Sequence, residues 1–409
     1  MTPPVSDPAP GRWRMLAVVS LAGLLGMSLW FTANAVVPQL RERWGLAPSQ
    51  TAWLTTAVQL GFVAGTAVAS ALNLADVLPA RGYVAVSSLL AAIANALLLS
   101  CAGLAPALAT RFLTGFFLAG VYPPAMKMTA TWFRAERGLA IGVMVGGLTI
   151  GKASPYLIHA FGSSHANGAV LVASCGCVLG GLLIATCYRD GPFAFERRPF
   201  SWALALEVAR HRETRLAIGG YLGHMWELYA MWTWIPAFLA ASLAVRAPGV
   251  GSAWSDVLAF GVIAAGGAGC VWGGWAAGRV GYVRVVTGSM VVSGVCCVLI
   301  GFAFGGPSAV LVPLALVWGF FVVADSAQFS ALVTEAAPQH AVGTALTLQT
   351  CVGFLLTMAT IQLVPVLAGT IGWRWAFAVL AIGPALGIAA IARLRPRPAP
   401  VSLEATRSA

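Results

Sequence analysis

Twelve stretches of this chain are each long and apolar enough to cross a lipid bilayer, and that alone removes most folds from consideration. They cover residues 13–37, 51–74, 82–103, 105–131, 138–160, 167–188, 216–242, 255–278, 285–304, 309–334, 341–368 and 373–392. Crossing a hydrocarbon core of ~30 Å takes ~20 residues of helix, and a helix satisfies its own backbone polar groups in lipid. The composition agrees, with 59% hydrophobic and 9% charged residues, where a soluble domain carries about 25% charged. The expected fold is an all-α membrane protein of twelve transmembrane helices. The first run reads as a retained span, because no small-residue cleavage site follows a short apolar core.

The net charge of +11 invites a nucleic-acid partner, but its distribution reports topology instead. With the N-terminus inside, seventeen arginines fall on cytoplasmic segments, against Arg41, Arg43, Arg246 and Arg374 outside. This bias predicts both termini on the cytoplasmic side of a cell (inner) membrane and no nucleic-acid partner. The remaining cations, Arg111, Lys127 and Lys152, fall inside predicted spans. The eight cysteines lie in apolar segments without metal-ligand spacing, so no metal, cofactor or disulfide framework is expected.

The longest polar break, 189–215, divides the spans six and six. The expected organisation is a tail over 1–12, one half over 13–188, a cytoplasmic linker over 189–215, a second half over 216–392 and a tail over 393–409. The halves echo each other. LNLADVLPARG (72–82) follows span two as GWAAGRVGYVR (274–284) follows span eight. Duplicated six-span halves are the signature of a rocking secondary transporter.

These segments resemble the major facilitator superfamily over nearly the whole chain. GWAAGRVGYVR is similar to the family's short loop motif. In the first half only Asp76 and Arg81 of that motif remain, with Leu72, Val77 and Pro79 in place of its other positions. RFLTG (Arg111 to Gly115) matches the Arg-x-x-x-Gly motif of span four, and YPPAMKMTATWFRAERGLAIG (122–142) resembles the anion-porter branches. Where drug antiporters of the family carry a Gly-Pro pair in span five, this chain has Gly151-Lys152. Nitrate-type porters use an arginine in each of spans two and eight, and neither core here has one. The resemblance implies two six-helix halves, alternating access, and a central cavity lined by spans one, four, seven and ten.

Depth picks out the ionisable residues. By helical rise, Glu227 lies about 16 Å into span seven, Asp325 about 15 Å from the end of span ten, and Lys152 about 21 Å into span five. Each is near mid-membrane, where a charge costs at least ~3 kcal/mol unless it faces water or a partner. Glu227 is expected to carry protons, with His224 on the same helical face and Asp325 beside it in role. Lys152 stands either to pair with Glu227 or Asp325 or to attract an anion. Substrate contacts are expected from Lys152, Arg111, Asn34, Tyr122, Gln328 and Trp30, with Gln349 weaker. Lys127 either snorkels to the interface or meets Glu335 as a gate. Five glycines of span five, 138, 142, 146, 147 and 151, are spaced for close helix packing.

The expected function is therefore a secondary transporter, acting as a monomer in the bilayer and moving a small organic or inorganic anion with protons. The alternative is a proton-coupled exporter of hydrophobic or amphiphilic compounds, suggested by the aromatic residues of the cavity spans. An enzyme is not expected, because no nucleophile or metal cluster accompanies His224 and Glu227. A channel fits poorly with the duplicated halves.

Overall fold

The computed structural model describes residues 9–134, 136–161, 166–193, 201–246 and 252–394. Most of both expected tails and the middle of the linker lie outside these residues. Span one is Arg12–Met27, a turn, then Thr32–Ala35 and Val37–Trp44. Spans two and three are Pro48–Ala71 and Ala80–Ala96, and span four is Leu104–Leu118 followed by Tyr122–Ala130. Spans five and six are Arg137–Phe161 and Ala166–Cys187. Trp202–Arg210 is a short linker helix. Spans seven, eight and nine are Arg212–Arg246, Ser252–Val280 and Tyr282–Phe302. Span ten is Ser308–Ala324 and Ser326–Ala336, span eleven Val342–Thr370, and span twelve runs from Trp373–Ala376 to Ile382–Ile391. Among the described residues, eleven segments are long and apolar enough to cross a membrane, and span one reaches that length only across its break.

The packing repeats pair for pair. In the first half span one packs on five and six, two on four, and three on four and six. In the second half seven packs on eleven and twelve, eight on ten, and nine on ten and twelve. The halves meet along two seams, five against eight and two against eleven. A shift of six spans exchanges these seams, as a pseudo-two-fold requires.

The glycine ladder of span five explains its tight seam. Gly142 and Gly146 face Cys270 and Gly267 of span eight so closely that added Cβ atoms would sit 2.5 and 2.7 Å from the carbonyl oxygens. Gly147 and Gly151 belong to another face and abut Ser20 and Leu24 of span one. The glycines thus serve two neighbours. Across the other seam, Gln362 Nε2 donates to Thr56 Oγ1 at 2.9 Å, and Ser70 and Thr347 hydroxyls lie 3.4 Å apart.

Besides span twelve, which tightens to a 3-10 turn over Ala378–Ala381, three spans that the apolar pattern predicts as continuous are broken. Span one turns at residues 28–31, span four at 119–121, and span ten at Asp325. The breaks in four and ten fall in corresponding spans of the two halves. Hydropathy is blind to them, because the residues involved are mostly apolar and buried.

The duplicated loops also differ. After span eight, Gly281 alone makes the turn, with a φ of 84° that favours glycine, and Arg279 stacks 3.8 Å from the Trp275 ring. After span two, Asn73 takes the left-handed conformation at φ 51° and a helical turn, Leu74–Val77, follows. The side chain of Asp76 lies outside the described residues.

Candidate functional site

Span five carries Lys152 to the centre of the seam, where it is 6% exposed. Its ammonium donates to the Tyr229 hydroxyl at 2.6 Å and stands 4.8 Å from the Trp30 and Tyr229 ring centroids and 5.0 Å from that of Trp232. Trp30 comes from the first half, Tyr229 and Trp232 from the second. Behind Trp30 lie Phe62 and Phe354, at 5.1 and 5.7 Å, themselves 4.6 Å apart across the other seam. Tyr122 stacks on Phe62 at 6.2 Å. Lys152 pairs with neither Glu227 nor Asp325, and no carboxylate meets it among the described residues. An isolated buried cation is costly. A desolvated cation–π contact is worth about 2 kcal/mol, so the ring walls offset part of that cost.

The acids occupy the second half. Glu227 is 2% exposed and turns away from Lys152 into the packing of spans nine and ten. It accepts from Trp318 Nε1 at 2.5 Å, Ser293 Oγ at 2.9 Å and Cys297 Sγ at 3.2 Å. The Ser293 hydroxyl also lies 3.4 Å from the Met290 carbonyl. It can donate to a Glu227 carboxylate or turn to that carbonyl and accept from the protonated acid. His224 is paired with Asp325 rather than with Glu227. Its Nδ1 lies 2.9 Å from Asp325 Oδ1, out of line for a straight hydrogen bond, and its Nε2 lies 3.1 Å from Ser326 Oγ. Asp325 sits at the break of span ten, so this pair spans a joint between two helices.

The other expected residues divide. Arg111 points to span one and not to the Lys152 cluster. It donates to Asn95 Oδ1 at 2.9 Å and to the Leu29 and Trp30 carbonyls at 3.1 and 2.5 Å, occupying acceptors freed by the break that displays Trp30. Asn34 Oδ1 accepts from Thr55 at 3.0 Å. Gln328 and Gln349 are buried, with Gln328 Nε2 and Gln349 Oε1 unpartnered. Lys127 is half-buried in Tyr122–Ala130, while Glu335 is exposed at the end of span ten, within electrostatic reach of Tyr282 together with Arg137 of span five.

Several contacts escaped the sequence reading. Tyr229 and Trp232 complete the Lys152 walls and Phe62 and Phe354 back them, but each looks like any aromatic in an apolar run. At the end remote from the linker, His159 Nδ1 of span five lies 2.7 Å from Asp256 Oδ2 of span eight, and His159 Nε2 lies 2.7 Å from Gln39 Nε2. This contact ties the halves together. Its signal was available: both ionisable groups fall near the same edge of predicted spans that pack together.

Duplicated six-span packing, paired seams and helices broken at mid-depth describe a facilitator architecture. The sequence profile of the Major Facilitator Superfamily matches residues 19–360. The chain belongs to that superfamily. The facilitator is also 32% identical over 155 residues to a protein named hexuronate transporter from Escherichia coli strain K12, and equally to one of that name from Escherichia coli O157:H7. The match covers 36% of this chain and 35% of each relative, so the chain spans about a third of the length of these curated relatives.

Proposed function

We propose that this facilitator moves a small organic anion together with protons by alternating access. Lys152 would hold the anion, and Glu227 with the His224–Asp325 pair would take and release protons. The observation that carries this reading is the buried Lys152 ammonium between the halves, walled by aromatic rings and without an acidic partner. Such a group gains most from a ligand that brings its own negative charge. The hexuronate transporters that share a third of the chain are named for a carboxylated solute, which agrees. Both seams are joined along their length, from Ser70–Thr347 and Gly142–Cys270 near the linker to Thr56–Gln362 and His159–Asp256 at the far end. That arrangement fits an occluded state from which either end opens. The basic-residue bias supports a linker end that faces the cytoplasm of the cell (inner) membrane. A single chain carries both halves, which supports work as a monomer.

The test is uptake into proteoliposomes under an imposed pH gradient, with wild type, Lys152→Gln and Glu227→Gln. Lys152→Gln should abolish anion-dependent uptake. Glu227→Gln should retain anion binding and lose gradient-driven accumulation. Full gradient-driven transport by both variants would overturn the assignment.

A further inference from the structure

The walls of the Lys152 site say more about its solute than its charge. Resting on the anion reading above, we propose that the site takes a monocarboxylate with a flat apolar body, an aromatic acid of benzoate type, rather than a polyhydroxylated sugar acid or a dicarboxylate.

Charge count comes first. Lys152 is the single ammonium at the ring cluster, and Arg111, the other cation at comparable depth, spends its guanidinium on Asn95 and two carbonyls of span one. One unbalanced positive charge matches one carboxylate. A second carboxylate would enter an apolar seam without a counter-ion.

Donors and acceptors come next. Lys152 commits one of its three N–H groups to Tyr229. The indole Nε1 groups of Trp30 and Trp232, whose rings wall the ammonium, are buried and have no acceptor. The site is thus rich in unpaired donors, the complement of a carboxylate, which accepts only. Sugar hydroxyls also need acceptors, and leaving them unpaired is penalised. Gln59, one turn from Phe62 on span two, is fully buried with both side-chain polar atoms unpartnered. It leaves scope for one polar ring substituent.

Shape comes last. Trp30 and Phe62 of the first half meet Tyr229 and Phe354 of the second at centroid distances of 4.6–5.7 Å. These faces press on each other in the closed form. A flat ring sliding between them replaces ring–ring contacts with ring–solute contacts of the same kind, whereas a puckered, hydrated sugar would not.

The experiment is thermal unfolding of the detergent-purified full chain with benzoate, acetate, glucuronate, succinate or benzyl alcohol, since a ligand of the folded state raises its melting temperature. Benzoate should bind about tenfold more tightly than glucuronate or succinate, given what an aromatic pair adds. Lys152→Gln should remove the benzoate shift. Phe354→Leu should weaken benzoate by several fold and leave acetate unchanged, and Phe62→Leu serves if that variant does not fold. Glucuronate or succinate binding more tightly, in a Lys152-dependent way, would overturn the aromatic assignment and leave the anion reading standing. Benzyl alcohol matching benzoate in both wild type and Lys152→Gln would overturn both. No shift with any of the acids would also overturn the proposal.

Discussion

The two halves pack alike but carry opposite buried charge. The first half holds Lys152 and Arg111, both almost fully buried, and the second holds Glu227 and Asp325 with His224. Neither cation meets either acid. Had they paired, the simplest account would be an ion pair holding the halves together, and a solute would have to compete with it. Instead each half satisfies its charges locally, Arg111 with backbone carbonyls and Glu227 with three side-chain donors, and Lys152 alone depends on the other half. Under the function proposed above, this division would give solute attraction to the first half and proton handling to the second.

Lys152→Gln tests this division with the largest expected effect. A hydrogen-bonded charge contributes about 1.5–3 kcal/mol, so anion affinity should fall by roughly ten- to a hundredfold. The ligand-free protein should melt no lower than wild type, because a desolvated charge without a counter-ion is being removed. A large drop in melting temperature without ligand would make Lys152 a structural pin and erase the contrast.

Glu227→Gln comes second. The amide keeps the size of the side chain and the Trp318 contact, so solute affinity should hold while accumulation driven by a pH gradient falls about tenfold or more. The pH profile decides it. Wild-type transport should change with pH across the range in which Glu227 titrates, and the variant should be flat there. An unchanged profile would move the proton role to Asp325.

Asp325→Asn and His224→Gln should each have a smaller and shared effect. Because the two groups touch, the double variant should be less impaired than the sum of the singles, with a coupling of about 1 kcal/mol in binding or stability. Strict additivity would show that the 2.9 Å contact carries no coupling. The assay is the same uptake measurement on four proteins.

The legible part of this molecule was the part written in hydropathy. Run length alone gives the all-helical fold and its spans, of which the described residues hold eleven as long apolar segments, and helical rise gives the expected depths of Lys152, Glu227 and Asp325. Partners were not legible, because rotation of a helix about its axis decides them. His224 and Glu227 share a face of span seven, yet one turns to span ten and the other reaches spans nine and ten. Arg111 was read as a contact for solute and serves the backbone of span one, since its acceptors exist only because that helix breaks. The breaks themselves leave no charged trace apart from Asp325. The walls of Lys152 were illegible for a further reason: Trp232, Phe62 and Phe354 differ from lipid-facing aromatics only in which way they point.

The smallest expected effect concerns the far end, where a His–Asp contact joins the halves. His159 and Asp256 keep only 9% and 14% of their side-chain surfaces exposed, but an asparagine at 256 would still accept from His159 Nδ1, so the change costs about 1 kcal/mol or less. Asp256→Asn should therefore leave anion affinity and the melting temperature nearly unchanged. It should shift the balance between the two openings instead, because the contact exists only while the far end is closed. A cysteine placed at Gln39 would report that balance through its labelling by a membrane-impermeant thiol reagent. Against that reference, His159→Gln should raise labelling at position 39 by about the factor that 1 kcal/mol allows, roughly fivefold. Labelling that does not change would place the hold between the halves on the glycine seam of spans five and eight. In that event Gly146→Ala, whose Cβ would meet the Gly267 carbonyl at 2.7 Å, should raise labelling more than any charge substitution at the far end.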